Sequence, residues 1–392
     1  MAKNYDIVVV GAGLIGMSIA ISLARYGLKI AILEKNNIKF NNRPEADGRV
    51  SAIALGSKLI LDDIGVWSNI TKYAEPILDI IVTDGDSPYF IHYDHAEVST
   101  EPFGFIVENN YIRHGLYESL RTYDNIEIIE NFIIDKADNH KSEAVIYGTG
   151  NSVLNAKLLV VADGRNSKTA KSLGIKYYTS DYKQTAIVCT IEHELPHHGL
   201  AQEKFFPVGP FAVLPMQGNF SSLVWVEPSD RVNCYIKLDN DEFITEISER
   251  VGKYLGSIKN VGNRFSYPLS ASHAKSYIAN RCVVIGDAAH GIHPIAGQGV
   301  NVGFRDVQEL SNLIKEQILI GGDIGDCDIL KIYENRRIFD NSSMIAITDI
   351  LNKSFSNNIL PIKLVRRFGL LTIGKMPILK KMFMRHAMGI NK

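Results

Sequence analysis

The residues best placed to do chemistry in this 392-residue chain lie in one run, Gly286 to Asp306. It opens on Gly286-Asp287, directly after the apolar, largely β-branched stretch Cys282 to Ile285. That stretch suits a buried strand, and it puts the Asp287 carboxylate where it can accept hydrogen bonds from a polyol. Pro294, Gly297, Gln298 and Gly299 follow, and their glycines let the backbone come close to a flat ligand. Val300, Phe304, Val307, Leu310 and Ile314 then recur at helical spacing, with Asn301 in the first turn. The loop therefore ends at a helix N-terminus, whose unpaired N–H groups and roughly half a positive charge suit the anionic N1/C2 edge of a reduced flavin. The run reads as a flavin clamp.

A second constellation complements it near the N-terminus. Tyr5 to Val10 is strand-like, and Gly11, Gly13 and Gly16 follow in G-x-G-x-x-G spacing. A helical stretch with Ala20 and Leu23 comes next, then a second strand from Lys29 to Leu33, closed by Glu34. In such a βαβ unit the first glycine makes the tight turn, the second admits a pyrophosphate and the third lets helix and strand pack closely. Glu34 is the acceptor for the adenosine ribose hydroxyls, and its charge repels a 2′-phosphate, favouring FAD or NAD over NADP. A third element, the apolar strand Leu158 to Ala162, ends in the turn-rich segment Asp163-Gly164-Arg165-Asn166-Ser167.

Taken in this order, the glycine-rich unit, the Asp-Gly turn and the Gly-Asp run resemble the single-component FAD-dependent aromatic hydroxylases, of the p-hydroxybenzoate hydroxylase type. The segment His293-Pro294-Ile295-Ala296-Gly297-Gln298-Gly299, with Asn301, Gly303 and Asp306, is similar to the signature of the ubiquinone-biosynthesis hydroxylase family. Arg49 to Ala54, leading to Gly65-Val66-Trp67, resembles that family's first flavin-side loop, and Gly209 to Pro215 with Leu223-Val224-Trp225 resembles its substrate-side sheet. Arg49, Arg113, Asp163 and Gly164 match family positions on the cofactor side. One position departs: the family's arginine three residues after the middle-motif serine is Ala170 here.

The resemblance implies a Rossmann-like α/β fold carrying FAD, with an inserted β-rich substrate domain. It also implies hydroxylation of a polyprenylated phenol in ubiquinone biosynthesis, with NAD(P)H and O2 reacting through a flavin C4a-hydroperoxide. The flavin carries the hard chemistry, so no side-chain triad is needed, and none is apparent. A water-excluding pocket is required, with Phe211, Leu214, Pro215 and Trp225 as candidate walls. Two alternatives stay open on the sequence: hydroxylation of another aromatic substrate, or a non-catalytic flavoprotein scaffold of a quinone-biosynthesis complex.

The expected organisation is discontinuous, with FAD-binding material in residues 1–75, 108–180 and 270–350 and substrate-domain material in 76–107 and 181–269. In the latter, Ala186 to Ile191, Phe211 to Leu214, Ser222 to Val226 and Val232 to Lys237 read as one antiparallel sheet, with a helix from Asp241 to Leu255. Pro76 to Thr83, Tyr89 to Tyr93 and Phe103 to Val107 add strands to it. Residues 351–392 form a basic amphipathic tail: no acidic residue follows Asp349, while lysines and arginines alternate with apolar side chains. Such a tail suits peripheral contact with an anionic membrane or packing as a helical cap.

A net charge of −1 gives no electrostatic footprint for nucleic acid. The four cysteines are widely spaced, suggesting neither a disulfide framework nor a zinc knuckle. His193-Glu194-Leu195-Pro196-His197 satisfies H-E-x-x-H, but Pro196 cannot sit inside the helix that such a zinc site needs, so no metal is assigned. With no apolar stretch long enough to span a bilayer and no signal peptide, a cytoplasmic location is expected, peripheral on the membrane's inner face if the tail binds there.

Overall fold

The computed structural model describes residues 2–38, 48–85, 87–88, 90–292, 299–355 and 376–390. Three sheets organise them. In the eight-stranded sheet, Cys282–Val284, Ser152–Val161, Lys3–Val10, Ile30–Leu33 and Ile126–Ile129 run parallel and adjacent in that order. Their apolar runs are continuous because helices cover both faces, and Ile7, Val8, Val9 and Leu158 through Val161 are fully buried. The helix Leu14–Ala24 is apolar all round for the same reason: it lies between this sheet and the helices Asn109–Leu120 and Gly299–Leu319.

The nine-stranded sheet is built around Tyr177–His193, which pairs antiparallel with Phe220–Pro228 and Phe265–Ala274. Gly209–Met216 and Leu200–Phe206 extend it. Its two faces differ. Ile187, Cys189, Phe211, Val213, Leu223 and Trp225 point outward onto a helical layer, sharing a core with Phe243, Ile247 and Val251 of the helix Asn240–Val251. Those three recur every fourth residue and turn one stripe to the sheet, each contributing about 2 kcal/mol by burial. Asp239 and Glu242 close the helix start with a capping box.

The structure corrects two expectations here. Val232–Ile236 is a helical turn, not a strand, because Val232, Tyr235 and Ile236 are spaced to face one side and do pack on the outer core. Of the first-half strands, Asp79–Thr83 and Phe90–Asp94 join the nine-stranded sheet. Glu75–Ile77 and Gly104–Glu108 instead form a separate three-stranded sheet with Val50–Ala54.

The chain ends in the helix Pro377–Met388, which seats Met384 and Met388 in an apolar cluster with Leu55, Ile77, Phe103, Ile106 and Ala201. Gly389 caps it in the left-handed conformation, and its carbonyl lies so close to Gly56 that a Cβ there would stand 2.5 Å from the oxygen. Lys380 pairs with Glu97 at 2.5 Å. The rest of the helix looks outward: Ile378 is 89% exposed and Met382 58%. Residues 356–375 of the predicted tail lie outside the described residues. No described helix is long and apolar enough to cross a membrane.

Candidate cofactor site

The parallel register explains how three motifs distant in sequence meet. Val10 pairs with Leu33 on one side and with Val161 on the other, and Val161 pairs with Val284. Four neighbouring strands thus end level, and the residues that follow them, Gly11 through Gly13, Glu34, Asp163-Gly164 and Gly286-Asp287, line one mouth. Parallel α/β sheets bind ligands at that end of their strands.

At this mouth the glycines have distinct jobs. Gly11 has φ +101°, and a Cβ on it would stand 2.6 Å from the Ala162 carbonyl oxygen, so its absence lets the first motif touch the middle one. A Cβ on Gly16 would stand 1.9 Å from the Gly11 carbonyl oxygen, which fixes the close approach of helix and strand. Gly13 differs. A Cβ there would meet no protein atom within 4 Å, although its extended backbone needs no glycine. The open side lies at the N-terminus of the helix Leu14–Ala24, where the unpaired N–H groups favour a phosphate.

Glu34 bridges the mouth, accepting from the Ala12 N–H at 2.9 Å and the Asn36 N–H at 3.1 Å. Asp163 supplies an unmet demand: its Oδ1 is buried without a hydrogen-bond partner. Its neighbours register the charge, for the Tyr177 hydroxyl and the Cys282 thiol are held above their usual ranges first by burial and then by Asp163. A buried acceptor without a donor, beside an open phosphate cradle and a ribose-side carboxylate, fits a dinucleotide.

Asp287 stands across from them, its Oδ2 accepting from Arg165 Nε at 3.0 Å. Arg165 also donates to the carbonyls of Ser270 (3.2 Å) and Ile292 (2.9 Å), tying the middle motif to the nine-stranded sheet and to the start of the flavin loop. It was not singled out from the sequence, although it sits inside the quoted Asp-Gly motif. Ala170, the family's missing arginine, is fully buried, its N–H donating to Ser167 Oγ. The arginine at the mouth is Arg165.

Pro294, Gly297 and Gln298 lie outside the described residues. Gly299 and Val300 open the helix Gly299–Leu319, as expected from the spacing. The Asn301 side chain is committed to protein: Oδ1 accepts from Ala54 N–H at 2.9 Å and Nδ2 donates to the Ala52 carbonyl at 2.8 Å. Asn301 thereby clips the flavin-side strand Val50–Ala54 to the helix start. Arg49, just before that strand, places its guanidinium over the Tyr267 ring at 5.6 Å. Arg113 is exposed on the helix Asn109–Leu120.

Behind the loop lies a buried polar network that sequence reading missed. Asp306 is fully buried and accepts from the Gly286 N–H (2.9 Å), His290 Nε2 (2.5 Å) and Arg337 Nε (2.7 Å). Burial pushes its carboxyl up, but His290 and Arg337 pull harder and hold it well below the ordinary range. Arg337 continues to Asp340 (2.6 Å) and to Asn341 (2.7 Å), whose Nδ2 donates to the Tyr277 hydroxyl at 3.0 Å. The network joins both flanks of the flavin loop to the long helix Cys327–Phe355. Its one signal in the sequence was Asp306, in helical register with Leu310 and Leu313.

The four predicted substrate-wall residues do not share a face. Phe211 and Trp225 point to the outer helical layer, where Trp225 Nε1 donates to Glu227 at 2.8 Å, and Pro215, four residues beyond Phe211 on the same strand, lies on that face with them. Leu214 packs on the inner side, with Met216 and the cluster that seats the terminal helix. Alternation along Gly209–Met216 dictates this split. The histidines of the H-E-x-x-H segment are spent on protein contacts. His193 meets Ser221 Oγ (3.0 Å) and the Leu195 carbonyl (2.8 Å), while His197 meets the Met216 carbonyl (2.6 Å) and accepts from the Gly199 N–H (3.0 Å).

Several known proteins are similar to this chain. A family model described as an FAD binding domain matches residues 4–338. Ubiquinone hydroxylase UbiL of Rhodospirillum rubrum is 42% identical over 390 residues, covering 100% of this chain and 91% of the relative. Ubiquinone biosynthesis monooxygenase COQ6 of Danio rerio is 30% identical over 433 residues, covering 98% and 89%. Among solved structures, p-nitrophenol 4-monooxygenase PnpA from Pseudomonas putida superposes with a TM-score of 0.81 at 19% identity, over 100% of both chains, a likeness of fold.

Proposed function

Since the chain belongs to the ubiquinone-biosynthesis family of FAD-dependent hydroxylases, we propose that it hydroxylates the aromatic ring of a polyprenylated phenol, using NAD(P)H and O2. The observation that carries this reading is the level ending of four parallel strands, which gathers Gly11, Gly13, Glu34, Asp163 and Asp287 at one mouth. FAD, when bound there, would supply the redox chemistry that couples oxidation of the nicotinamide donor to ring hydroxylation by O2.

The chain's own residues hold and shield. Gly11, Gly13 and Gly16 with the first helix N-terminus would cradle the pyrophosphate, and Glu34 the adenosine ribose. Asp163, Gly164, Gly286 and Asp287 would face the remaining hydroxyls and phosphates. The segment from Pro294 through Gly297, Gln298, Gly299, Val300 and Asn301 would cradle the ring system, with Arg49 and Arg113 on the cofactor side. Water exclusion falls to the inner face of the nine-stranded sheet, where Leu214 and Met216 supply apolar surface.

A prenylated substrate partitions into lipid, so the enzyme works at a bilayer surface. The terminal helix supports this: exposed Ile378 and Met382 stand beside Lys381 and Arg385 on its outer side. Each basic residue near an anionic leaflet contributes about 1 kcal/mol. Deletion of residues 376–392 should weaken binding to phosphatidylglycerol vesicles, and unchanged sedimentation would remove the membrane part of the proposal.

The decisive assay is donor oxidation by the FAD-loaded protein with and without a short-chain prenylphenol, read with product mass. A gain of one oxygen, with donor consumption stimulated by the phenol, is expected. An unstimulated rate and no product would leave the scaffold reading instead.

A further inference from the structure

We propose that the outer face of the nine-stranded sheet carries a second binding site, a pocket for an organic ammonium group between Trp225 and Glu227. A cavity of about 300 Å³ opens there, bounded by Phe206, Val208, Trp225, Glu227, Glu246 and Glu249, with Arg250 at its side. It lies among the helical layer, on the face opposite Leu214.

Glu227 is the informative residue. It is only 3% exposed, yet it lines the cavity. Its Oε1 accepts from Trp225 Nε1 at 2.8 Å, and no hydrogen bond reaches Oε2 among the described residues. A carboxylate can accept about four hydrogen bonds. No lysine, arginine or histidine among the described residues forms an ion pair with it; Arg250 and Arg231 act only at longer range.

The arginine that could have neutralised it is engaged elsewhere. Arg250 Nη1 donates to the Glu246 carbonyl and to Glu246 Oε2, both at 2.7 Å, and its guanidinium lies over the Trp225 ring at 4.2 Å. Lys204 Nζ donates at 2.7 Å to the Arg250 backbone carbonyl. Three carboxylates and one cation leave the cavity net negative. Glu227 opens on this cavity with an acceptor to spare, so the surplus of negative charge favours a cation entering from outside.

The pocket's chemistry narrows the class. No three His, Cys, Asp or Glu side chains among the described residues gather closely enough to hold a metal ion. A 300 Å³ space with aromatic and aliphatic walls suits a cation with an alkyl stem, its ammonium on Glu227 and its methylenes along Phe206 and Val208. Such a group is offered by a free diamine or by a lysine side chain of a partner protein.

The test uses the FAD-loaded full-length protein and its own reporter, since Trp67 and Trp225 are the two tryptophans. Cadaverine, and separately Nα-acetyl-lysine methylamide, are titrated at constant ionic strength while tryptophan emission is followed. A saturable change is expected, with the apparent Kd raised about tenfold or more in Glu227→Gln, which keeps an acceptor for Trp225 Nε1. Tighter binding of cadaverine points to a free amine as the occupant, and tighter binding of the blocked lysine to a partner's side chain. If Glu227→Gln loses FAD or its melting transition, Glu249→Gln replaces it, with a loss of about threefold expected. No saturable change, the same response to sodium chloride alone, or an unaltered Kd in the variant would overturn the proposal.

Discussion

The two large sheets use their side chains in opposite ways. In the eight-stranded sheet nearly every residue of the central strands is buried whichever way it points, so the ligand-facing features lie beyond the strand ends, in glycines, backbone N–H groups and a few carboxylates. In the nine-stranded sheet the strands themselves carry the surfaces, and a shift of one residue exchanges the inner face for the outer. At the mouth of the first sheet, stability and ligand binding divide between glycines packed on backbone and the open Gly13, whereas in the second they divide between the two faces of a strand.

Gly16→Val should produce the largest effect. Its Cβ alone would stand 1.9 Å from a backbone oxygen, and the added methyls have nowhere to go. A loss beyond about 5 kcal/mol, seen as insoluble or FAD-free protein, is expected. Gly13→Ala is the control that sharpens the contrast, because its Cβ meets no protein atom and its backbone already suits alanine. Stability should hold or rise by about 0.5 kcal/mol while FAD affinity falls about tenfold. Equal FAD affinity in Gly13→Ala would remove the pyrophosphate from that position.

Asp306→Asn comes next. It leaves Arg337 with Asp340 as its remaining carboxylate partner, at a cost of about 3 kcal/mol for a broken buried pair. The pH dependence has a definite sign. Because Asp306 is held below its ordinary range, its contribution is full above about pH 4 and declines as pH falls below that. The gap in denaturant stability between wild type and variant should therefore narrow between pH 7 and pH 3. A gap that widened on the acid side would mean that Asp306 is not ionised in the folded protein.

The same contrast explains what could be read from residues alone. The cofactor mouth was legible because its demands are local: a tight turn needs Gly11, a close approach needs Gly16, and an acid must follow the second strand. Parallel pairing then brings the three motifs together without further information. The substrate face was not legible to the same depth, since alternation identifies two faces but not which one looks toward the cofactor. The family resemblance groups Phe211 and Trp225 with Leu214 on one substrate-side sheet, and the structure turns them to opposite faces of it. Asp306 is visible within the motif, but its partner Arg337 and, through Arg337, Asn341 lie over 30 residues on, and only packing of the two helices joins them.

Leu214 and Phe211 test that separation directly. Phe211→Leu, in the outer core, should cost about 1.5 kcal/mol and leave the KM for a prenylphenol unchanged. Leu214→Ala should cost about as much in stability or less, being partly exposed, yet raise KM several-fold. The reverse pattern in KM would place the substrate on the helical side of the sheet.

The smallest effect is expected at Glu227, and its sign opposes that at Asp306. Burial raises the Glu227 carboxyl above its ordinary range, with the Trp225 hydrogen bond and the more distant Arg250 and Arg231 offsetting only part. For a raised acid the favourable proton uptake is present below the ordinary value, near pH 4, and is lost as pH rises through the shifted one. Wild type at pH 8 therefore carries a buried charge that Glu227→Gln does not. The variant should be more stable there by under about 1 kcal/mol, with the difference vanishing toward pH 4. Saturating cadaverine should close the gap at pH 8 by stabilising wild type alone, because a ligand that binds only the folded, charged pocket adds its binding free energy to stability. A cadaverine effect equal in both proteins would assign it to the surface at large.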